Sequence, residues 1–290
     1  MAFEKIKSVK ELKLAASEIR CDIIRMLVES KSGHTAGSLG MTDIFAALYL
    51  GVANHDPKNP DWDGRDKILL SNGHICPILY ATLAYCDYFP RSELMTSRKL
   101  GSHLQGHPHW GHLPGIENTS GPLGQGLSQA CGLALADKLD SREGLIFCLT
   151  SDGEHQEGQT WEAVMFASKY KLGKIIQIMD RNNIQIDGNT EDIMPLESLK
   201  KKYEAFNWEV HEVDGNDMSA VLSLLEKLSA KARSSGGNSA PIIIIANTLA
   251  SKGFYSAEGS YKWHGKTPSK EEGEIALADI LAASEKIRAE

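Results

Sequence analysis

Two continuous apolar runs bracket one helical stretch in the middle of the chain, and few folds accommodate that arrangement. "GLIFCLT" (144–150) and "KIIQIM" (174–179) lack the apolar–polar alternation of a half-exposed strand, so each reads as a strand buried on both faces. Between them, "QTWEAVMFASKYKL" (159–172) spaces its apolar residues as a helix does. The alternation continues with a strand at 208–213, a helix at 218–233 and a strand at 241–248. Apolar strands separated by helices imply an α/β fold, a parallel sheet with helices on both faces. Residues 234–239, "SSGGNS", read as a flexible turn within that alternation, so residues 1–290 are expected to form a single domain.

Open α/β sheets bind ligands at the carboxyl ends of their strands. The first apolar run delivers "SDGEHQEGQTWEA" (151–163) to that edge, and the second delivers "DRNNIQIDG" (180–188). Asp152, Asn182 and Asn183 are hard oxygen donors, of the kind that suits Mg²⁺ or Ca²⁺, and Mg²⁺ is commonly shared with substrate phosphates. Gly153 permits close backbone approach. Each stretch alone also fits a plain solvated turn; it is their meeting at one edge that points to a metal bridging a diphosphate.

The remainder is helical or irregular. Leu12, Ile19, Ile23 and Leu27 repeat at helical spacing within 9–30, a second helix is expected at 42–50 with Thr42 as its N-cap, and a third at 75–88. From there to about residue 123 the chain is rich in Gly, Pro and His, and a long loop of this kind inside a domain is usually functional. A helix, "GLSQACGLALADKL", follows. Lys and Arg total 31 against 38 Asp and Glu, a net charge of −7, which argues against nucleic acid or an anionic membrane as partner. The start alternates charged and apolar residues and has no signal-peptide core. The longest apolar run, around Ile242–Ala246, is too short to span a bilayer. Five cysteines without a CxxC pair read as buried and reduced, which places the chain in the cytoplasm.

Several strings then coincide. The SDG of 151–153, followed by the NN of 182–183, resembles the GDG…NN motif of thiamine-diphosphate enzymes. Around it, "SGHTAGSLG" (32–40), "LSNGHICPILYA" (70–81), "GHP" (106–108), "LPGIENTSGPLGQG" (113–126) and "WHGKTP" (263–268) occur in the order found in transketolases. The resemblance covers essentially the whole chain, but only the N-terminal part of a single-chain transketolase. It implies the diphosphate-side domain, with the aminopyrimidine-binding and C-terminal domains on a separate chain. Beyond residue 270 there is one charged amphipathic helix. The implied assembly is an α2β2 heterotetramer with a C-terminal transketolase subunit.

The resemblance also assigns roles. It gives Mg²⁺ to the side chains of Asp152 and Asn182 and the carbonyl of Ile184, with Ca²⁺ as an alternative ion. It gives thiamine diphosphate to His74, Gly121, Leu123, Gly124, Asp152, Gly153, Glu154, Asn182, Ile186 and His264. In this reading Gly153 donates its N–H to the diphosphate, and Gly121, Leu123 and Gly124 lie against the thiazolium. The helix opening at "QTWEA" presents its N-terminus to the anion. Beyond position, the residues themselves explain neither Glu154 nor His155. His34 and His107 are implied to line the channel for sugar phosphates, assisting proton transfer together with His264, as imidazole does near neutral pH. Glu157 is either a carboxylate shared across a subunit interface, as in the family, or a helix-N-terminal Glu favoured by the dipole. His103, His109 and His112 read as polar loop residues, and His55 and His211 belong to no motif.

The implied activity is transfer of a two-carbon ketol unit from a ketose donor to an aldose acceptor, by a subunit that acts only with its partner. The chain departs from the family at Ser151, which replaces the first Gly of GDG; at "HTAG" (34–37), where Pro and Gly are usual; and at "GHPHW", where His109 and Trp110 replace an acid and its neighbour. A 1-deoxyxylulose-5-phosphate synthase is disfavoured by "PGIENTSGPLGQG". A ketol transferase for an unusual sugar and a non-catalytic remnant stay as alternatives.

Overall fold

The two apolar runs become neighbouring strands at the centre of one parallel sheet. The computed structural model describes residues 3–289, so the outermost residues of the expected 1–290 domain lie outside it. Helix α1 (Val9–Ser30) is followed by the short helices α2 (Ala36–Gly40) and α3 (Thr42–Phe45), strand β1 (Lys67–Leu70), α4 (Cys76–Tyr85) and α5 (Gly126–Leu139). The central unit is β2 (Ile146–Ser151), α6 (Gly158–Lys169) and β3 (Ile175–Arg181). A small hairpin, β4 (Ile184–Gln185) and β5 (Gly188–Asn189), leads to α7 (Thr190–Ile193) and α8 (Leu199–Ala205). The chain ends with β6 (Glu209–Asp214), α9 (Met218–Ser234), β7 (Ile242–Asn247) and α10 (Lys270–Ala289).

The sheet order is β1-β2-β3-β7-β6, every pair parallel. A right-handed crossover decides which face each helix covers. Moving from β1 through β2 and β3 to β6 places α5, α6 and α8 on one face; the return from β6 to β7 places α9 on the other. The core divides accordingly. Ile146, Cys148, Ile175, Met179, Ile243 and Ile245 pack with α5, α6 and α8. Phe147, Leu149, Ile176, Ile178, Ile242 and Ile244 face α1, α4 and α9. Successive strand residues point to opposite faces, so a strand covered on both sides is largely apolar, as β2, β3 and β7 are up to their carboxyl ends, with Gln177 the one interior polar residue.

Local chemistry sets the helix ends. Ser8 caps α1 by accepting from the Glu11 N–H (3.3 Å), and Lys31 closes it in a left-handed conformation. Asp217 caps α9 through the N–H groups of Ser219 and Ala220, at 3.0 and 3.1 Å. Thr42 does not cap the second helix: its hydroxyl donates to the Ser38 carbonyl one turn back, at 3.0 Å. That helix widens into a π-helical segment, Ala46–Val52, which the apolar periodicity does not distinguish from an α-helix.

The sequence reading passes over β1, α8 and the β4–β5 hairpin. β1 has four residues and opens on Lys67, whose buried ammonium is matched by Asp137 (2.7 Å). That charge hides the strand from a hydrophobicity pattern. The Gly/Pro/His stretch contains one 3₁₀ segment, Arg91–Thr96, and otherwise turns. All five cysteines are free and buried. No helix among the described residues is long and apolar enough to cross a membrane.

Phe147 is fully buried on β2. Phe147→Ala is expected to lower unfolding free energy by about 3–5 kcal/mol in urea denaturation; a loss below about 1 kcal/mol would contradict its central place in the core.

Candidate functional site

Parallel pairing brings the ends of β2 and β3 level, with Ser151 beside Asp180, and the Asp152 N–H continues the ladder to the Asp180 carbonyl (3.1 Å). The Asp152 side chain is wholly buried. Its Oδ2 accepts from Arg181 Nη1 (2.9 Å), the Asn183 N–H (2.8 Å) and Thr190 Oγ1 (3.2 Å), and its Oδ1 accepts from the Gly153 N–H (2.7 Å). Burial pushes the carboxyl up from its ordinary value, against the Arg181 guanidinium and the two N–H groups. Arg181 also grips Glu191 (2.6 Å) and Glu197 (3.0 Å), tying the segment beyond the hairpin to β3. Gly153, expected to offer its N–H to a diphosphate, here donates it to Asp152 Oδ1.

Asn182 lies in the turn after β3. Its amide donates to Asp180 Oδ2 (2.8 Å), and its Oδ1 accepts from the Ile184 N–H (3.1 Å). Asn183 takes a positive φ of 63° that Asn tolerates, which lets its N–H turn toward Asp152. Asp180 is buried, held by Thr248 Oγ1 and Asn182, and burial raises its pKa to about 7. Among the described residues no three His, Cys, Asp or Glu side chains converge on a metal position. A cation at this edge therefore depends on amide and carbonyl oxygens beside Asp152, a hard donor set that fits Mg²⁺.

Three of the motif histidines meet although they are distant in sequence. His34 and His74 ring centroids are 5.0 Å apart, His74 and His264 5.1 Å, and His34 and His264 5.6 Å. Burial lowers all three pKa values, that of His34 to about 4 and that of His74 well below the ordinary value, with neighbouring imidazoles adding to the shift for His34 and His74. The cluster is neutral near pH 7, so each ring offers one N–H donor and one acceptor. Ile186, 66% exposed, stands at its rim: a Cβ placed on Gly265 would lie 3.8 Å from His34 Nε2 and 4.0 Å from Ile186 Cδ1. His34 Nδ1, both polar side-chain atoms of Asn72 and Ser120 Oγ are buried without a partner. Buried polar groups normally have partners, so these atoms suit a polar ligand.

The Gly121–Gly126 segment forms the next wall. Gly121 (φ 144°) and Gly124 (φ 82°) occupy backbone conformations that favour glycine, with half-buried Leu123 between them. His107 lies against Gly121, 3.5 Å from the position of an added Cβ. Burial, then Arg98, lowers the pKa of His107. Glu154 touches this wall from inside the protein. Its Oε1 accepts from the Gly124 N–H (2.7 Å) and from Ser71 Oγ, and its Oε2 from the Ser151 N–H (3.2 Å). Glu154, expected among the cofactor-binding residues, spends both carboxylate oxygens on these internal bonds. Glu157 begins α6 without capping it, and its Cβ packs beside Gly124.

The other histidines separate from the site. The rings of His109 and His112 meet at a tilt, centroids 4.3 Å apart, on the exposed outer loop with His103, and His55 and His211 bond to Tyr49 and Glu209. His155 has the role that sequence reasoning did not supply. Its Nδ1 faces the Ser151 carbonyl (2.6 Å), which can only accept, so Nδ1 carries the proton; Nε2 faces the Tyr203 hydroxyl (2.7 Å) and the Gln177 amide (3.3 Å). Trp161 Nε1 donates to the His155 carbonyl (3.0 Å). Arg181, Ser71 and Asn72 were also missed, although "DRNN" and "LSNGH" contain them.

The family model described as transketolase, thiamine diphosphate binding domain, matches residues 12–281. A 6-deoxy-6-sulfo-D-fructose transketolase subunit from Clostridium sp. (strain MSTE9) is 40% identical over 248 residues, 86% of this chain and 88% of that one. An apulose-4-phosphate transketolase subunit from Actinobacillus succinogenes is 39% identical over 274 residues, 94% of this chain and 97% of that one. Among solved structures, transketolase from Leishmania mexicana superposes with a TM-score of 0.84 at 29% identity, covering 98% of this chain but 45% of that protein.

The buried imidazole of His155 gives the folded state a pH signature. Burial lowers its pKa to about 4, against about 6.5 in an unfolded chain. Between those values the unfolded state binds more protons, so stability falls as pH drops from about 6.5 toward 4, by at most about 1.4 kcal/mol per pH unit from this group. Denaturation of wild type and His155→Gln at pH 7 and pH 5 should show a shallower loss in the variant; equal slopes would exclude His155 as a source.

Proposed function

Because the chain belongs to the transketolase family, as its thiamine-diphosphate-binding domain, we propose that it is the diphosphate-side subunit of a split transketolase. It binds thiamine diphosphate with Mg²⁺ and completes its active site against a separate C-terminal subunit, in an α2β2 heterotetramer. The observation that carries this reading is the edge shared by β2 and β3, where Asp152 is hydrogen-bonded to the turn that holds Asn182, together with the unpartnered buried polar atoms of His34, Asn72 and Ser120.

Asp152 Oδ1, Asn182 Oδ1 and the Ile184 carbonyl would hold the metal. The cation would offset the cost of keeping Asp152 charged and buried. His74 and His264 face the diphosphate as neutral hydrogen-bond donors. His34 and His107 line the sugar channel, where an imidazole can hold or release a proton at a substrate oxygen. Glu157 stands at the start of α6 with its carboxylate exposed and free of capping bonds, which suits contact with the partner subunit. Bound thiamine diphosphate supplies the carbon nucleophile and electron sink for breaking and remaking the bond beside a ketose carbonyl. The reaction is transfer of a two-carbon ketol unit between sugar phosphates. Five buried thiols support a reducing compartment, and the cytoplasm is the proposed location.

A second reading narrows the sugar. The relatives are named for 6-deoxy-6-sulfo-D-fructose and apulose 4-phosphate, and here the loop beyond His107 carries Trp110, 64% exposed, next to His109. A pathway-specific ketol transferase acting on an unusual anionic sugar accommodates both facts.

Calorimetry of the full chain with thiamine diphosphate and Mg²⁺ tests the site. Asp152→Asn and Asn182→Ala, each checked for native circular dichroism, should weaken binding by about tenfold to hundredfold; unchanged affinity would remove both residues from the metal site. Ketol transfer from xylulose 5-phosphate should require the C-terminal subunit. Turnover by this chain alone would refute the split assembly.

A further inference from the structure

We propose that Glu154 is a positioning residue that fixes the ring-facing wall of the cofactor pocket before the cofactor arrives; this rests on the thiamine-diphosphate reading above. The side chain is 1% exposed, and its carboxylate joins three segments that come from distant parts of the chain. Ser71 stands at the end of β1, Gly124 within the Gly121–Gly126 segment, and Ser151 at the end of β2. Oε1 accepts from Ser71 Oγ and from the Gly124 N–H (2.7 Å), while Oε2 accepts from the Ser151 N–H (3.2 Å). Ser71 Oγ in turn accepts from the Gly126 N–H (3.0 Å), so two backbone N–H groups of one segment are fastened through a single carboxylate and its serine. The Glu154 carbonyl accepts from Thr160 Oγ1 (3.2 Å), which anchors the residue to α6.

A glycine-rich segment has more conformational freedom to lose than any other, so it needs an external reason to be ordered. Glu154 supplies one from below. Glu157 limits movement from the side, its Cβ 2.9 Å from where a Cβ on Gly124 would lie. A side chain on Gly126 would overlap Ser71, so the segment meets the β1 end at backbone distance. Hydrogen bonds to a charged acceptor are the stronger kind.

The metal edge has separate supports. Asp152 is held by Arg181, Asn183, Thr190 and the β3 ladder, a set of hydrogen bonds distinct from those that hold Glu154. The two ends of the cofactor site are therefore predicted to respond separately to mutation. Removing the Glu154 carboxylate loosens the wall beside the ring and leaves the diphosphate end in place.

Calorimetry of the full chain assembled with its C-terminal subunit, using two probes, Mg²⁺-thiamine diphosphate and Mg²⁺-pyrophosphate, tests this separation. Wild type should bind thiamine diphosphate more tightly than pyrophosphate. Glu154→Ala should weaken thiamine diphosphate by about tenfold or more, the loss of one or two such hydrogen bonds, and change pyrophosphate by less than about twofold. Glu154→Gln should fall between, because its amide oxygen still accepts from Ser71 and Gly124 while its NH₂ opposes the Ser151 N–H. If Glu154→Ala does not fold, Ser71→Ala, which removes the same fastening of Gly126, should show the same selectivity. Equal loss of both probes, or no loss of either, overturns the positioning role. If wild type binds both probes equally, the wall is not preformed and the inference fails alone. If it binds neither, the thiamine-diphosphate reading itself fails.

Discussion

A carboxylate with no solvent exposure, at the end of a strand buried on both faces, must be met by donors within reach. Asp152 is met by one guanidinium, two backbone N–H groups and a threonine hydroxyl. Much of the surrounding architecture follows from that demand. Arg181 can serve Asp152 only because β2 and β3 are paired neighbours whose ends lie level. Having been drawn inward, Arg181 captures Glu191 and Glu197, and the chain after β3 must fold back over the strand ends to bring them there. Removing one partner of a buried pair typically costs about 3–5 kcal/mol, because the other is left charged and unmatched. The metal-side turn is therefore braced by the Asp152–Arg181 pair.

The crossover rule explains why the site is assembled at this edge at all. In an all-parallel sheet every strand delivers its following loop to the same side. β1 contributes Ser71, Asn72 and His74, β2 contributes Asp152 and Glu154, and β3 contributes Asn182. The chain belongs to the transketolase family, and the helices on both faces keep most of each central strand dry and apolar.

How far this was legible in the sequence depends on whether a residue's partner lies nearby along the chain. The central strand–helix–strand unit was readable because its signal is local: apolar runs of strand length on either side of a helical period. Asp152 and Asn182 were readable because each directly follows such a run. β1 was not, since four residues opening on a charged lysine carry too little hydrophobic pattern, and the Asp137 that neutralises Lys67 is contributed by a later helix. Arg181, Glu154 and His155 were all visible as letters, yet their meaning lies in Glu197, in Ser71 and Gly124, and in Tyr203. No periodicity encodes those encounters. The meeting of His34, His74 and His264 became legible only through the family resemblance of the strings that contain them.

Beneath the Ser151–Asp152 turn, the polar group formed by His155, Gln177 and Tyr203 is bordered by Trp161, whose indole bonds the His155 carbonyl and lies 5.5 Å from the Tyr203 ring. An indole's emission is sensitive to the polarity and quenching groups around it, and here those groups are fastened to the turn that carries Asp152. The protein thus holds an optical gauge, a partly buried indole mechanically continuous with the backbone that carries Asp152.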